Sequence, residues 1–282
     1  MSQAIIDLLN SGREACANQN NRKGNLIALP AEGSLIITGD LHGHRRNFER
    51  IANFADLKNN TDRHVVLQEV IHGGDEDNHG GCLSFELLFD VIKYKLQFPD
   101  QVHLIMGNHD TAFINNSRVM KAGKEMNIAM RDAIDRKFPE RREDVKLAMK
   151  QFLFAQPLAV RSENRLWISH SLPADNYLDK FDYKIFHRNL KVNDVVKPGS
   201  AYLLTWGRRT SPGSLDTLAK ILDVDIFILG HQPQSKGYAR VDDKLLIIAC
   251  DHNHGCLLKV DLDKSYTMDG LVKSIVPLAA IS

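Results

Sequence analysis

Side chains able to bind a metal gather in four short motifs: Gly39-Asp40-Leu41-His42-Gly43, Gly107-Asn108-His109-Asp110, Ser169-His170-Ser171 and Gly230-His231-Gln232. Each follows an apolar, β-branched run. Carboxylate and amide oxygens mixed with imidazole nitrogens suit Mn, Fe or Zn better than a calcium cage or a thiolate zinc site. One histidine after a strand is ordinarily structural. Four such strand ends carrying ligand-type residues point to a shared metal centre that could activate water.

Elements must bring these motifs together across the chain. Runs at 35–38, 64–67, 102–106, 166–168, 226–229 and 245–249 read as buried strands, and 46–54 and 85–98 have helical spacing. This alternation predicts an α/β fold, in which strand carboxyl ends meet at one edge and carry the site. From 111 to 157 the rhythm changes to a long, charged, Met- and Arg-rich stretch that reads as helices. We expect one domain over 1–282 with a helical cap or insert at 111–157.

Composition narrows the classes. Thirty-six basic against thirty-five acidic residues leave a net charge of +1, so no global field points to nucleic acid or to an anionic membrane. No apolar run approaches the roughly 18 residues of a membrane span. The first twenty residues read as a short amphipathic helix without the basic and apolar regions of a signal peptide. Cys16, Cys82, Cys250 and Cys256 are scattered and form no CxxC pair, which favours a reducing compartment. The expectation is a cytoplasmic protein.

GDLHG, GNHD, ISHS and LGHQP, in this order, resemble the calcineurin-like metallophosphoesterase superfamily over roughly residues 35 to 256. KYKLQFPDQVHLIMGNHD and ILGHQPQSKGYARVDDKLLIIACDHNHG are most similar to its phosphoprotein phosphatase branch, which includes the serine/threonine protein phosphatases. The resemblance implies a β-sandwich flanked by helices, and two divalent metal ions. Asp40 and His42 would hold the first ion; Asn108, His170 and His231 would hold the second.

A carboxylate should bridge the two ions, and here the sequence departs from the family, offering LQEVIHGGDEDNHGG in place of GDxxDRG. Asp75 keeps the Gly-Asp dipeptide. Glu69 sits where strand register expects the ligand, level with Asp40 and Asn108, with 73–81 then an inserted loop. The resemblance also gives His109 the role of protonating the leaving oxygen, with Asp110 or Asp77 fixing its tautomer. The family's motif arginine is missing, its place taken by Gly73 or His79. Arg208 and Arg209 resemble the family's second arginine in position, and Arg45 is a weaker candidate anion clamp. His252 and His254, in DHNHG, are candidates to line the site.

The function expected is hydrolysis of phosphate monoesters by water activated between two metal ions, on a phosphoprotein or a small phosphorylated molecule. A dinucleoside polyphosphate hydrolase or phosphodiesterase would use the same ligands. A scaffold that binds metal without turnover would have no use for His109.

Overall fold

The computed structural model describes residues 2–121 and 123–281. Continuous apolar runs covered on both faces pair in parallel, and that is what the expected strands do. Ser34–Asp40, Arg63–Gln68 and Val102–Ile105 run parallel in a five-stranded sheet, whose other strands are Cys256–Asp261 and Ile275–Pro277. Leu166–Ser169, Ile226–Leu229 and Leu245–Ile248 run parallel in a seven-stranded sheet. The two sheets meet where Leu245–Ile248 contacts Ser34–Asp40 and Cys256–Asp261. A parallel bridge between Asp40 and Ala249 ties them at the strand ends. The fold is thus the mixed α/β arrangement expected, with sheets flanked by helices.

Register departs from expectation by one residue at Asp40 and by two at Asn108. Asp40 lies opposite Gln68, after a shift between Ile37 and Asp40, and Gln68 lies opposite Ile105. Glu69 therefore falls just past its strand and Asn108 three residues past its own. The shift sends Gln68 and Glu69 to different tasks, described below.

Local chemistry sets the helices that carry the site. Arg45–Ala55 is capped by the His44 ring, which accepts from the Asn47 N–H, and closes at Asp56 with φ 41°. Over 111–157 the chain continues the helix Asn108–Asn115. It then forms a hairpin of Met120–Lys121 with Lys124–Glu125, and the helices Met126–Lys137 and Arg142–Phe154. The Glu125 carboxylate accepts from the N–H groups of Asn127 and Ile128, satisfying donors that a helix start leaves open.

Residues 73–81 form a loop fastened to this segment. Asp77 Oδ1 accepts from the N–H groups of His79 and Gly81, and its Oδ2 takes a two-pronged bond from Arg136 at 2.9 and 2.6 Å. Lys124 pairs with Glu76 at 2.6 Å.

The amino-terminal helix Ser2–Ala17 packs on Ser84–Gln97 and Arg142–Phe154. Gly12 permits this approach, since a Cβ there would stand 2.6 Å from Ile92 Cγ2 and 3.2 Å from the Phe152 ring. Gly12→Val should overpack the junction and remove about 1–3 kcal/mol of unfolding free energy, read by urea denaturation, with metal binding unchanged.

Candidate metal centre

The turns after the strands are held in unusual conformations. His42, Glu69 and His231 have φ of 43°, 49° and 66°, a left-handed region that costs a non-glycine residue roughly 1–2 kcal/mol. Backbone hydrogen bonds fix these turns. The N–H groups of Leu41 and His42 both donate to the Glu69 carbonyl, at 3.1 and 2.8 Å, and the Gly43 N–H donates to Val70. Two neighbouring glycines are required for space. A Cβ on Gly107 would collide with the Glu69 carboxylate, and one on Gly230 would meet Asp40 Oδ1 and Gln68 Oε1.

Four atoms converge within these turns. His170 Nε2 lies 3.0 Å from Glu69 Oε2, 2.8 Å from Asn108 Oδ1 and 3.1 Å from His231 Nδ1. Asn108 Oδ1 is also 2.9 Å from His231 Nδ1. The tautomer of His170 follows from its other nitrogen. Gln68 Nε2 donates to the Thr38 carbonyl at 2.8 Å, which turns Gln68 Oε1 toward His170 Nδ1 at 2.9 Å. Nδ1 therefore carries the proton, and Nε2 presents a lone pair to a carboxylate oxygen and an amide oxygen. Lone pairs at this spacing repel unless a cation sits among them, so the residues fit a divalent metal.

A second group adjoins the first. His42 Nδ1 donates to the Ile71 carbonyl at 3.1 Å, which leaves Nε2 unprotonated 3.6 Å from Asp40 Oδ2. Asp40 Oδ1 accepts from the His231 N–H at 2.8 Å. Glu69 adjoins both groups: its Oε2 lies against His170, and donor atoms of His42, Glu69 and His109 lie within 4.8 Å of one another.

Burial is the first cause of every ionisation shift here. It pushes Asp40 and Asp110 up to about 7, and Glu69 well up, with the neighbouring carboxylates adding to Glu69. It pushes His42 down to about 4 and His231 to about 3, and holds His109 and His170 well below the usual imidazole range. A bound cation would favour the charged form of these carboxylates and the neutral form of these imidazoles, which is the state in which both act as ligands.

The structure therefore brings together Asp40, His42, Glu69, Asn108, His109, His170 and His231. Asp75 is exposed in the 73–81 loop, outside this group. Asp110 accepts from the Gly107 N–H at 2.8 Å, capping the helix that begins at Asn108, and no hydrogen bond joins it to the His109 ring. Asp77 is taken up by Arg136, Arg45 by Asp90 at 2.6 Å, and the His252 ring by the Gln234 carbonyl at 2.9 Å; His254 is exposed. Arg208 and Arg209 are exposed and make no ion pair among the described residues, and the Arg208 charge acts on Asp40, His170 and His231.

Sequence reasoning missed Gln68 and Lys121. Gln68 stands in an apolar run, and a buried glutamine there was the available signal. Lys121 comes from the hairpin, pairs with Asp251 at 3.7 Å, and its charge acts on Asp40, His42, Glu69 and His109. Nothing in its local sequence marks it.

A family profile described as calcineurin-like phosphoesterase matches residues 33–235. A probable serine/threonine-protein phosphatase of Encephalitozoon cuniculi is 27% identical over 227 residues, covering 76% of this chain and 46% of that protein. A serine/threonine-protein phosphatase of Caenorhabditis elegans is 21% identical over 236 residues, covering 79% and 48%. The chain spans about half the length of these curated relatives. A solved serine/threonine phosphatase of Saccharomyces cerevisiae, similar to human phosphatase PP5, superposes with a TM-score of 0.72 at 14% identity, covering 99% of this chain and 93% of that one. A cold-active protein-tyrosine phosphatase of a Shewanella species gives 0.61 at 13% identity, covering 94% and 84%. At such identities the two structures are alike in fold.

Gln68→Leu should leave the fold intact and free the His170 tautomer. Metal affinity is expected to fall about 10- to 100-fold, measured by titration of the metal-free protein with Zn²⁺ or Mn²⁺.

Proposed function

The chain belongs to the calcineurin-like phosphoesterase family, and from that premise we propose that it hydrolyses phosphate monoesters at a pair of divalent metal ions. The observation that carries this reading is the convergence of unprotonated His170 Nε2 with Glu69 Oε2, Asn108 Oδ1 and His231 Nδ1, beside the Asp40–His42 pair. Asp40 and His42 would hold one ion and Asn108, His170 and His231 the other, with Glu69 the carboxylate available to both, a role supported by its burial and by the exposure of Asp75. The donor set suits Mn, Fe or Zn. When bound, the ions supply Lewis acidity that activates water and offsets phosphoryl charge.

The chain's own groups do the rest. His109, at the start of the helix Asn108–Asn115, holds the proton that the leaving oxygen needs. Arg208 and Lys121, whose charges both act on Asp40, supply positive charge for the phosphoryl oxygens, in place of the absent motif arginine. Phosphoproteins are the substrate class favoured by the names of the curated relatives, and a small phosphorylated molecule would meet the same groups. Four buried free cysteines agree with a reducing compartment such as the cytoplasm. Among the described residues no helix is long and apolar enough to cross a membrane.

Two ions per chain should be found by elemental analysis after reconstitution, with turnover of phosphate monoesters exceeding that of diesters. One ion or none, or no turnover with Mn, Fe or Zn, would count against the proposal. Glu69→Gln should lose metal stoichiometry and rate together, while Asp75→Asn changes neither; the reverse pattern would move the bridge to Asp75. His109→Ala should keep its metal and lose about 10² to 10⁴ in kcat, most for alkyl phosphates, whose leaving oxygens are basic. Equal losses on aryl and alkyl esters would contradict the proton-donor role.

A further inference from the structure

A cavity of about 320 Å³ opens beside the metal ligands and has no role in the assignment above. Ser171 and Gln232, the residues that follow His170 and His231, line it, so it begins where two ligand-bearing turns end. Its floor is apolar. Leu229 and Ile247 lie opposite each other on paired strands, with Leu245 beside them, and all three are buried. The volume is at the lower end for a small-molecule site and admits a short organic chain.

The polar wall is the segment 207–211, whose backbone is pinned at both ends. Ser171 Oγ donates to the Gly207 carbonyl, and a Cβ on Gly207 would stand 1.8 Å from the Leu172 carbonyl oxygen. At the other end the Ser211 N–H donates to Asp175 Oδ1 at 2.8 Å, and the Asp175 N–H donates to the Arg209 carbonyl at 3.1 Å. Fixed backbone therefore carries Arg208 and Arg209 to the cavity, while their side chains stay exposed and close on no carboxylate among the described residues.

Asp175 is the one carboxylate among the lining residues, and it is engaged elsewhere. The Ser214 hydroxyl, and after it the Ser211 N–H, hold it below the usual carboxylate range, which commits its charge to the start of the helix Pro212–Leu222. Two guanidinium groups thus face one occupied carboxylate. The Arg208 charge acts on Asp40, His170 and His231, as a clamp on the transferred phosphoryl group requires. Arg209 is left with an apolar floor, an open volume and no counter-charge.

We propose that this cavity receives the part of the substrate next to the ester and that Arg209 binds a second anionic group there. The preferred substrate class is then a phosphate monoester whose short apolar chain ends in a carboxylate or a further phosphate, either of which matches the planar fork of arginine. This inference rests on the reading of the chain as a phosphomonoesterase.

The test compares alkyl phosphates of graded chain length that end in a methyl group, a carboxylate or a second phosphate, so that leaving-group chemistry stays constant. At the best length kcat/KM should favour an anionic end over methyl by about 10- to 100-fold, and added salt should shrink that ratio. Whichever anionic end gives the larger ratio identifies the natural one. Arg209→Gln should bring the ratio within about threefold of one. Arg208→Gln should slow all the esters alike and keep the ratio. Val241 lines the cavity and is 53% exposed, so Val241→Asp, which sets a like charge beside the second anion, should lower the ratio as well.

The matching phosphonates, which resist hydrolysis, should show the same order of affinity when titrated into Zn²⁺-loaded protein. A ratio near one at every length, or a ratio that survives Arg209→Gln, would overturn the proposal, as would phosphonate binding that ignores the second anion or fails altogether. Phosphonates that bind with the Arg209-dependent preference to a protein that turns over no ester would refute the functional reading and leave the anion site standing.

Discussion

Lone pairs without protons between them cannot be packed side by side in a protein interior unless something positive joins them. That constraint organises this chain. His170 Nε2 is buried within about 3 Å of Glu69 Oε2, Asn108 Oδ1 and His231 Nδ1. The hydrogen bond from His170 Nδ1 to Gln68 leaves Nε2 without a proton of its own. Much of the surrounding backbone serves to hold this arrangement in place.

The left-handed turns at His42, Glu69 and His231 are part of the same account. Strain of this kind persists only where neighbours over-determine it. Here the Glu69 carbonyl, accepting from Leu41 and His42, locks two turns against each other, and the His231 N–H locks a third onto Asp40. The glycines at 107 and 230 leave room for the two carboxylates. The fold thus stores its local costs at one edge of the paired sheets, where ligand binding can offset them.

The 111–157 segment contributes to the site from outside the sheets. Its hairpin brings Lys121 against Asp251, and its helix Met126–Lys137 holds the Asp77 loop through Arg136. Exposed Arg208 and partly exposed Lys121 both act as positive charges on the site's Asp40, which suits an anionic ligand.

The sequence by itself determined six of the strands, the helices at 46–54 and 85–98, the family, and the clustering of the ligand-type residues, and left strands such as Ala159–Ser162 and Cys256–Asp261 unread. These rest on local rules: apolar runs of strand length, and polar motifs placed at their ends. It left the choice between Glu69 and Asp75 open, because register is a relation between strands and a one-residue shift changes which side chain faces the site. Only the tertiary structure separated Gln68, which orients His170, from Glu69, which faces the converging donors, although the two are adjacent. Only it showed Asp110 and Asp77 occupied by backbone and arginine partners, and the His72 ring beside that of His109. Such pairings depend on distances between residues far apart along the chain, which no local pattern of residue types encodes.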